Sequence, residues 1–449
     1  MANNDLVYLS GRELAAMIKT KKVSPVEVTQ AYLDRITLLN PKLNAFITVT
    51  KDQAMAQARQ AEKDISGGKY LGPLHGLPYA PKDILATKGI LTTNGSKVTA
   101  DWVPNYESTI TERLSRSGAI LLGKLNLLEF AMGSGVLSGF GPARNPWHTD
   151  YSPSGSSSGS GAAVAAYLTP LSIGTDTGGS IRIPSAACGL VGLKPAFGEI
   201  PLDGVVPLSR TFDHVGPLCR SVEDAGILHQ MLAGVSNPPP LKARDLKGLR
   251  LGIPRGYFFA VLDPEIGARF DEACDRLTTA GAILDDVAIP HAADAPTIYL
   301  HVALPEAAAC HAKTLESQPE DYTANVRLRL EMARYIMGED YVRAMHGRDV
   351  LIREVNAALH GRDGLLLPTL PVPAVTLGAA TVSVGTTEEP VRAVTLRLTQ
   401  PFNITGHPAI TMPCGCTQNG LPAGAQLVGM DTLALLSVAS AIEKALQLS

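Results

Sequence analysis

Apolar residues at Val28, Tyr32, Ile36 and Leu39 recur every three or four positions, the spacing of one face of an α-helix. Ser24, Pro25 and Glu27 precede them as N-cap, first-turn proline and capping-box acid, so a helix opens there and a shorter one comes before it. "LHGLPYAPKDIL" and "GAILLGKLNLLEFAMG" are short apolar runs with turn signals, which predict strands leading into helices. Beyond Asp263 and Pro264, the positions Ile266, Phe270, Ala273 and Leu277 predict another helix, and helical patterning runs on to about residue 360. "GLLLPTLPVPA" and "GLPAGAQLVGM" then return to a strand pattern. Alternation of the two periods implies an α/β chain built on a sheet. Pro238, Pro239 and Pro240 mark the start of a later lobe, mainly helical over residues 240–360. Because strands recur after it, residues 1–449 read as a single domain with that variable lobe inside it. No repeat period is present.

Composition acts mostly by exclusion. With 449 residues, 45% hydrophobic and 18% charged, the chain can bury a large core, and disorder is ruled out. A net charge of −3 gives no basic footprint, so the expected partner is a small-molecule substrate, with no nucleic acid and no membrane. The six cysteines have no zinc-ligand spacing and read as buried small apolar residues in a reducing compartment. "MANNDLVYL" lacks an export pattern and no run of about 20 apolar residues occurs, so a cytoplasmic location is expected.

Candidate chemistry concentrates in residues 151–185, "YSPSGSSSGSGAAVAAYLTPLSIGTDTGGSIRIPS". A flexible linker would have this Ser and Gly content, but not the apolar runs "GAAVAAYL" and "LTPLSIG" that follow the serines. Gly155 to Gly159 also spell G-x-S-x-G, a nucleophile elbow with Ser157 as nucleophile. That motif needs a strand just upstream, where "RNPWHTDYSPS" is turn-like. A third reading pairs Ser156 with Ser180, 24 residues apart on two glycine-rich turns. "DTGGS" would then present backbone N–H groups to a substrate carbonyl.

"PLHGLPYAPKD" with Lys82, "GKLNLLEFAMGS", "GSSSGSGAAVAA" and "GTDTGGSIRIPSAACGLVGLKP", followed by "PFNITGHPAITMPCG" and "GLPAGAQLVG", together resemble the amidase signature family. The resemblance spans residues 5–235 and 360–430. It implies a central twisted mixed β-sheet flanked by helices. It also implies a triad of Lys82 as base, Ser156 as a bridging serine on a cis peptide bond, and Ser180 as nucleophile. Thr177, Gly178 and Gly179 would contribute oxyanion-hole N–H groups, Asp176 and Arg182 would hold the turn, and no metal or organic cofactor would be needed. Ser154 and Ser158 stand where the family usually has glycine.

Such a triad suits an amide, a poor electrophile with a poor leaving group. Attack needs an activated nucleophile, a stabilised oxyanion and a proton for the departing nitrogen. A hydroxyl between Lys82 and Ser180 can pass a proton either way, and Lys82 can act as base only if burial keeps it neutral. His75 and His407 are left as packed core residues, and "GAILLGK" lacks the Ser or Thr of a nucleotide-binding loop.

The expected activity is hydrolysis of neutral amides through a serine acyl-enzyme, with anilides, esters and aryl carbamates (urethanes) as candidate substrates. Val205, Val206, Leu208 and Phe212 would form an apolar pocket wall, with Arg210 beside it. The alternative is a glutamine-hydrolysing subunit of a tRNA-dependent amidotransferase. Glutamine users in the family carry an acid for the α-ammonium seven residues before the Asn of "PFNITGHP", and here that residue is Leu396. A homodimer is left open.

Overall fold

The computed structural model describes residues 3–132 and 138–446, so Gly133 and Ser134, the end of the motif "GKLNLLEFAMGS", lie outside the described residues. Ser24 caps the helix Pro25–Leu43: its Oγ accepts from the Val26 and Glu27 N–H groups at 2.9 and 3.3 Å, and Glu27 accepts the Ser24 N–H at 2.8 Å. Val28, Tyr32 and Ile36 are buried along its inner face. The helix Pro264–Thr279 likewise buries Ile266, Phe270, Ala273 and Leu277 and opens on Asp263.

Ten strands form the central sheet: β1 (Pro78–Pro81), β2 (Ile120–Leu121), β3 (Ser172–Asp176), β4 (Val191–Lys194), β5 (His214–Cys219), β6 (Arg250–Pro254), β7 (Ile283–Val287), β8 (Gly364–Pro368), β9 (Ala409–Cys416) and β10 (Pro422–Val428). Their spatial order is β2-β1-β3-β5-β4-β9-β10-β8-β6-β7. Parallel pairs at each edge, β2 with β1 with β3 and β8 with β6 with β7, flank an antiparallel centre. The fold is therefore a mixed sheet flanked by helices. Every residue of β3, β5 and β10 is buried, because helices cover both faces, and this explains why those strands read as unbroken runs instead of alternating patterns.

Three expectations fail locally. No helix follows β1 directly; residues 82–108 are irregular apart from the short turn Lys97–Thr99. "GAILLGKLNLLEFAMG" yields the two-residue β2, a separate strand Gly123–Leu125 and the single turn Glu129–Ala131. Gly123 interrupts it at φ 153°, where a Cβ would sit 2.1 Å from the Thr48 carbonyl oxygen. Residues 240–360 contain four helices, Pro264–Thr279, Ala295–Ser317, Ala324–Ala333 and Gly338–Leu359, but also give β6 and β7 to the sheet edge. Of the cysteines, Cys188, Cys219 and Cys414 are buried, whereas Cys310 is exposed, contrary to the sequence reading. No helix among the described residues is long and apolar enough to cross a membrane.

Candidate active site

Adjacent strands β1 and β3 end side by side, so Lys82, just past β1, lies next to Thr175 on β3. The Lys82 ammonium group is fully buried and reaches Ser156 Oγ at 2.8 Å and Thr175 Oγ1 at 2.7 Å. Burial pulls its pKa down to about 7, against the opposing pull of Asp213 and Asp176. Asp83 turns away from it, 3.1 Å from Lys124, where it also accepts from Thr93.

Ser156 follows a cis peptide bond from Gly155. Ser154 holds φ 59°, a left-handed conformation that glycine adopts more easily. The helix Ser158–Ala165 starts at once and packs tightly: a Cβ at Gly159 would lie 2.4 Å from the Ala45 carbonyl oxygen. This stretch is close-packed backbone, not a tether. Ser157 faces inward, with Oγ donating to the Thr175 carbonyl at 3.2 Å and accepting from its N–H at 3.4 Å.

Ser180 sits on the turn after β3 and, with Ser156 and Gly178, lines a cavity of about 60 Å³. Gly179 has φ 136°, and a Cβ there would fall 2.2 Å from Thr399 Oγ1, so only glycine fits. Thr399 Oγ1 donates to the Gly178 carbonyl at 2.6 Å, and Thr177 Oγ1 donates to Asp213 at 2.5 Å. Asp213 is buried and pushed up to about 6 by that burial, although the Thr177 hydroxyl and the Leu208 and Ser209 N–H groups oppose the rise.

Behind the turn, Arg182 and Asp176 form a fully buried pair at 3.0 Å. Arg182 also donates to Asn403 and Gln426, each at 2.6 Å, and Asn403 donates to Asp176 Oδ1 at 2.8 Å. Burial alone would raise the Asp176 carboxyl, but Arg182 holds it well below the usual range. Every charge in this network is met, so removing one partner leaves the other stranded. Arg182→Met is expected to cost about 3–5 kcal/mol of unfolding free energy in urea titrations; a loss under about 1 kcal/mol would show the network to be dispensable.

The pocket residues expected from sequence divide. Leu208 lines the cavity with Ser156 and Ser180. Val205, Val206 and Arg210 line a separate cavity with Tyr106 and Asp213, and Phe212 is buried in the core, stacked on Tyr299 at 5.8 Å. His75 is buried and accepts the Leu71 N–H at 3.1 Å; His407, also buried, meets Asn356 at 2.9 Å. Sequence reasoning passed over Thr175 and Asn403, although both lie inside quoted motifs. It also passed over Tyr299, Arg329 and Arg392 of the cavity wall, which no motif marks.

A family model described as Amidase matches residues 27–432. The chain is 37% identical to the glutamyl-tRNA(Gln) amidotransferase A subunit of Geobacter metallireducens (strain ATCC 53774 / DSM 7210 / GS-15), over 98% of both chains. A crystal structure of an amidase superposes with a TM-score of 0.93 at 33% identity, covering 98% of this chain and 100% of that one. A vestigial protein complex bearing on the origins of an s-triazine catabolic enzyme gives 0.91 at 30% identity, covering 98% and 99%. The expectation of a small-molecule substrate and no nucleic acid is overturned by the first of these relatives, which is named for a tRNA and as one chain of a larger enzyme. A net charge of −3 does not exclude such a partner, because a catalytic chain needs no basic face of its own where another subunit holds the RNA.

Proposed function

Because the chain belongs to the amidase signature family, whose members split carbon–nitrogen bonds, we propose that it releases ammonia from a carboxamide as the A-type subunit of an amidotransferase. Likeness to the Geobacter amidotransferase chain over 98% of both sequences carries this reading. Ser180 Oγ attacks the amide carbon, forming the C–O bond, while its proton passes through Ser156 to Lys82. Backbone N–H groups of the 177–180 turn take the oxyanion. When the C–N bond breaks, the proton returns through Ser156 to the leaving nitrogen, and ammonia departs. Water then cleaves the acyl-enzyme by the same relay in reverse, releasing the carboxylic acid.

Leu396 favours a second reading, an amide hydrolase for which glutamine is not the substrate. Leu396 lines the cavity beside the oxyanion turn, and a Cβ on Gly178 would lie 3.1 Å from its Cδ2. An apolar side chain there offers the α-ammonium of glutamine no counter-charge, and a buried unpaired charge is costly. Anilides and aryl carbamates belong to this reading.

Ammonia release from glutamine, measured for the chain alone and together with the other subunits of an amidotransferase, separates the two. The first expects glutamine turnover that rises on assembly and amidated tRNA as product. No glutamine turnover in either setting, with turnover of other amides, leaves the second.

A further inference from the structure

Glu129 opens the single turn Glu129–Ala131 and is fully buried, yet no step of the reaction above uses it. Its carboxylate spends both oxygens on hydrogen bonds: Oε1 accepts from Ser96 Oγ at 2.6 Å, and Oε2 accepts from the Thr323 N–H at 2.9 Å and from the Thr323 hydroxyl. Ser96 belongs to the irregular segment that follows Lys82, whereas Thr323 is the N-cap of the lobe helix Ala324–Ala333. The Thr323 hydroxyl leaves its own helix uncapped and turns to Glu129 instead, 194 residues away in sequence. One carboxylate thus joins two distant parts of the chain, at a helix N-terminus that favours negative charge.

The turn needs holding. Phe130 and Ala131 have φ of 47° and 59°, so two successive residues with a Cβ occupy the left-handed region, which is sterically costly for both. The Phe130 N–H donates to the Asn94 carbonyl at 2.9 Å, and its ring meets His311, from the helix Ala295–Ser317, edge-on at 4.4 Å. The helical lobe therefore grips the turn twice, through Thr323 and through His311. On its other side the turn carries catalytic backbone. The Leu128 N–H donates to the Ser156 carbonyl at 3.0 Å, and a Cβ on Gly155 would lie 2.7 Å from Leu128 Cδ1. Leu128, Ala131 and Met132 also line the cavity of Ser156 and Ser180. A shift of the turn moves Ser156 against Lys82 and Ser180, and misplacing a reacting group by about 1 Å costs up to about 100-fold in rate.

We propose that Glu129 is a positioning residue for amide hydrolysis: by pinning the left-handed turn to the helical lobe it fixes the backbone of Ser156, and with it the proton path between Ser180 and Lys82. The inference rests on hydrolysis at Ser180, common to both readings above. A carboxylate is needed because both of its oxygens accept. Glu129→Gln exchanges one of them for a donating NH₂. Turned to Thr323, that group faces an N–H; turned to Ser96, it faces a hydroxyl that already accepts the Val98 N–H at 3.2 Å.

Labelling of Ser180 by a fluorophosphonate tests this without a known substrate, since its rate reads the relay and its final extent counts folded sites. In Glu129→Gln the rate should fall at least about tenfold while the extent stays complete. In Thr323→Val, which keeps the N–H and removes the hydroxyl, the rate should fall about threefold. Amide kcat per labelled site should drop at least about tenfold in Glu129→Gln, with KM within about threefold of the parent. The loss should be larger on 4-nitroacetanilide than on 4-nitrophenyl acetate, whose leaving group needs no proton. Fewer labelled sites that react at the parent's rate would make Glu129 a stability residue alone and overturn the proposal. A rise in KM without a fall in kcat, or equal losses on anilide and ester, overturns it as well. If Glu129→Gln does not fold, Thr323→Val decides, and a labelling rate unmoved there overturns the proposal. A parent chain that does not label at Ser180 removes the shared chemistry and the inference with it.

Discussion

Ser180→Ala is expected to lower kcat/KM for amide hydrolysis by roughly 10⁴- to 10⁶-fold, the scale on which loss of a serine nucleophile acts when the rest of the site survives. The same variant should lose covalent labelling by a fluorophosphonate. Ser157→Ala is the informative control, because Ser157 is the central residue of the G-x-S-x-G motif. Its hydroxyl is fully buried and spends both donor and acceptor on the backbone of Thr175, and a Cβ on Gly174 would sit 2.8 Å from it. It braces the helix Ser158–Ala165 against β3. Replacing it should cost about 1–2 kcal/mol of stability through the two lost hydrogen bonds while labelling persists. If labelling instead disappears with Ser157 and persists without Ser180, the elbow reading is right and the paired-serine reading is wrong.

What made the tight turn at residues 176–180 legible was chain-local. "DTGGS" is contiguous, and glycine at 179 answers a local demand, a positive φ against Thr399. The helix caps at Ser24 and Asp263 were legible for the same reason, since a cap is settled within four residues. Strand order was not. β4 pairs with β9 across more than 200 residues, and nothing in "VGLK" specifies "AITMPCGC" as its neighbour. The pocket wall failed for a related reason. Val205, Arg210 and Phe212 are close in sequence to Leu208, but the chain turns at Ser209–Asp213, where Asp213 takes the Leu208 and Ser209 N–H groups. Of these four, only Leu208 faces the cavity of Ser180. Arg329 and Arg392 stand 63 residues apart in sequence, and only tertiary packing sets them in one wall.

Lys82 should control both rate and stability, with opposite signs. A base must be unprotonated to act, and burial holds this lysine down to about 7. Amide kcat/KM should therefore rise about tenfold per pH unit below 7 and level off above 8. Asp213 raises the Lys82 pKa, so Asp213→Asn should move the rising limb to lower pH. Lys82→Met should abolish amide turnover, with a smaller loss on an activated ester whose leaving group needs no proton. Stability should move the other way. The unfolded chain binds a proton on this lysine up to about pH 10.4, the folded chain only up to about 7, so the fold carries a penalty on the order of 4 kcal/mol at pH 7 and below. That penalty fades as pH rises from 7 to 10, since across this window unfolding takes up the proton. Lys82→Met removes the penalty and loses hydrogen bonds to Ser156 and Thr175, about 1 kcal/mol each. The inactive variant should thus be the more stable protein at pH 7, by about 2 kcal/mol in urea titrations, with the gain shrinking toward pH 10. A variant less stable than the parent at pH 7, joined to an amide rate that stays flat from pH 6 to 8, would mean that Lys82 keeps its proton in the folded site and is not the base.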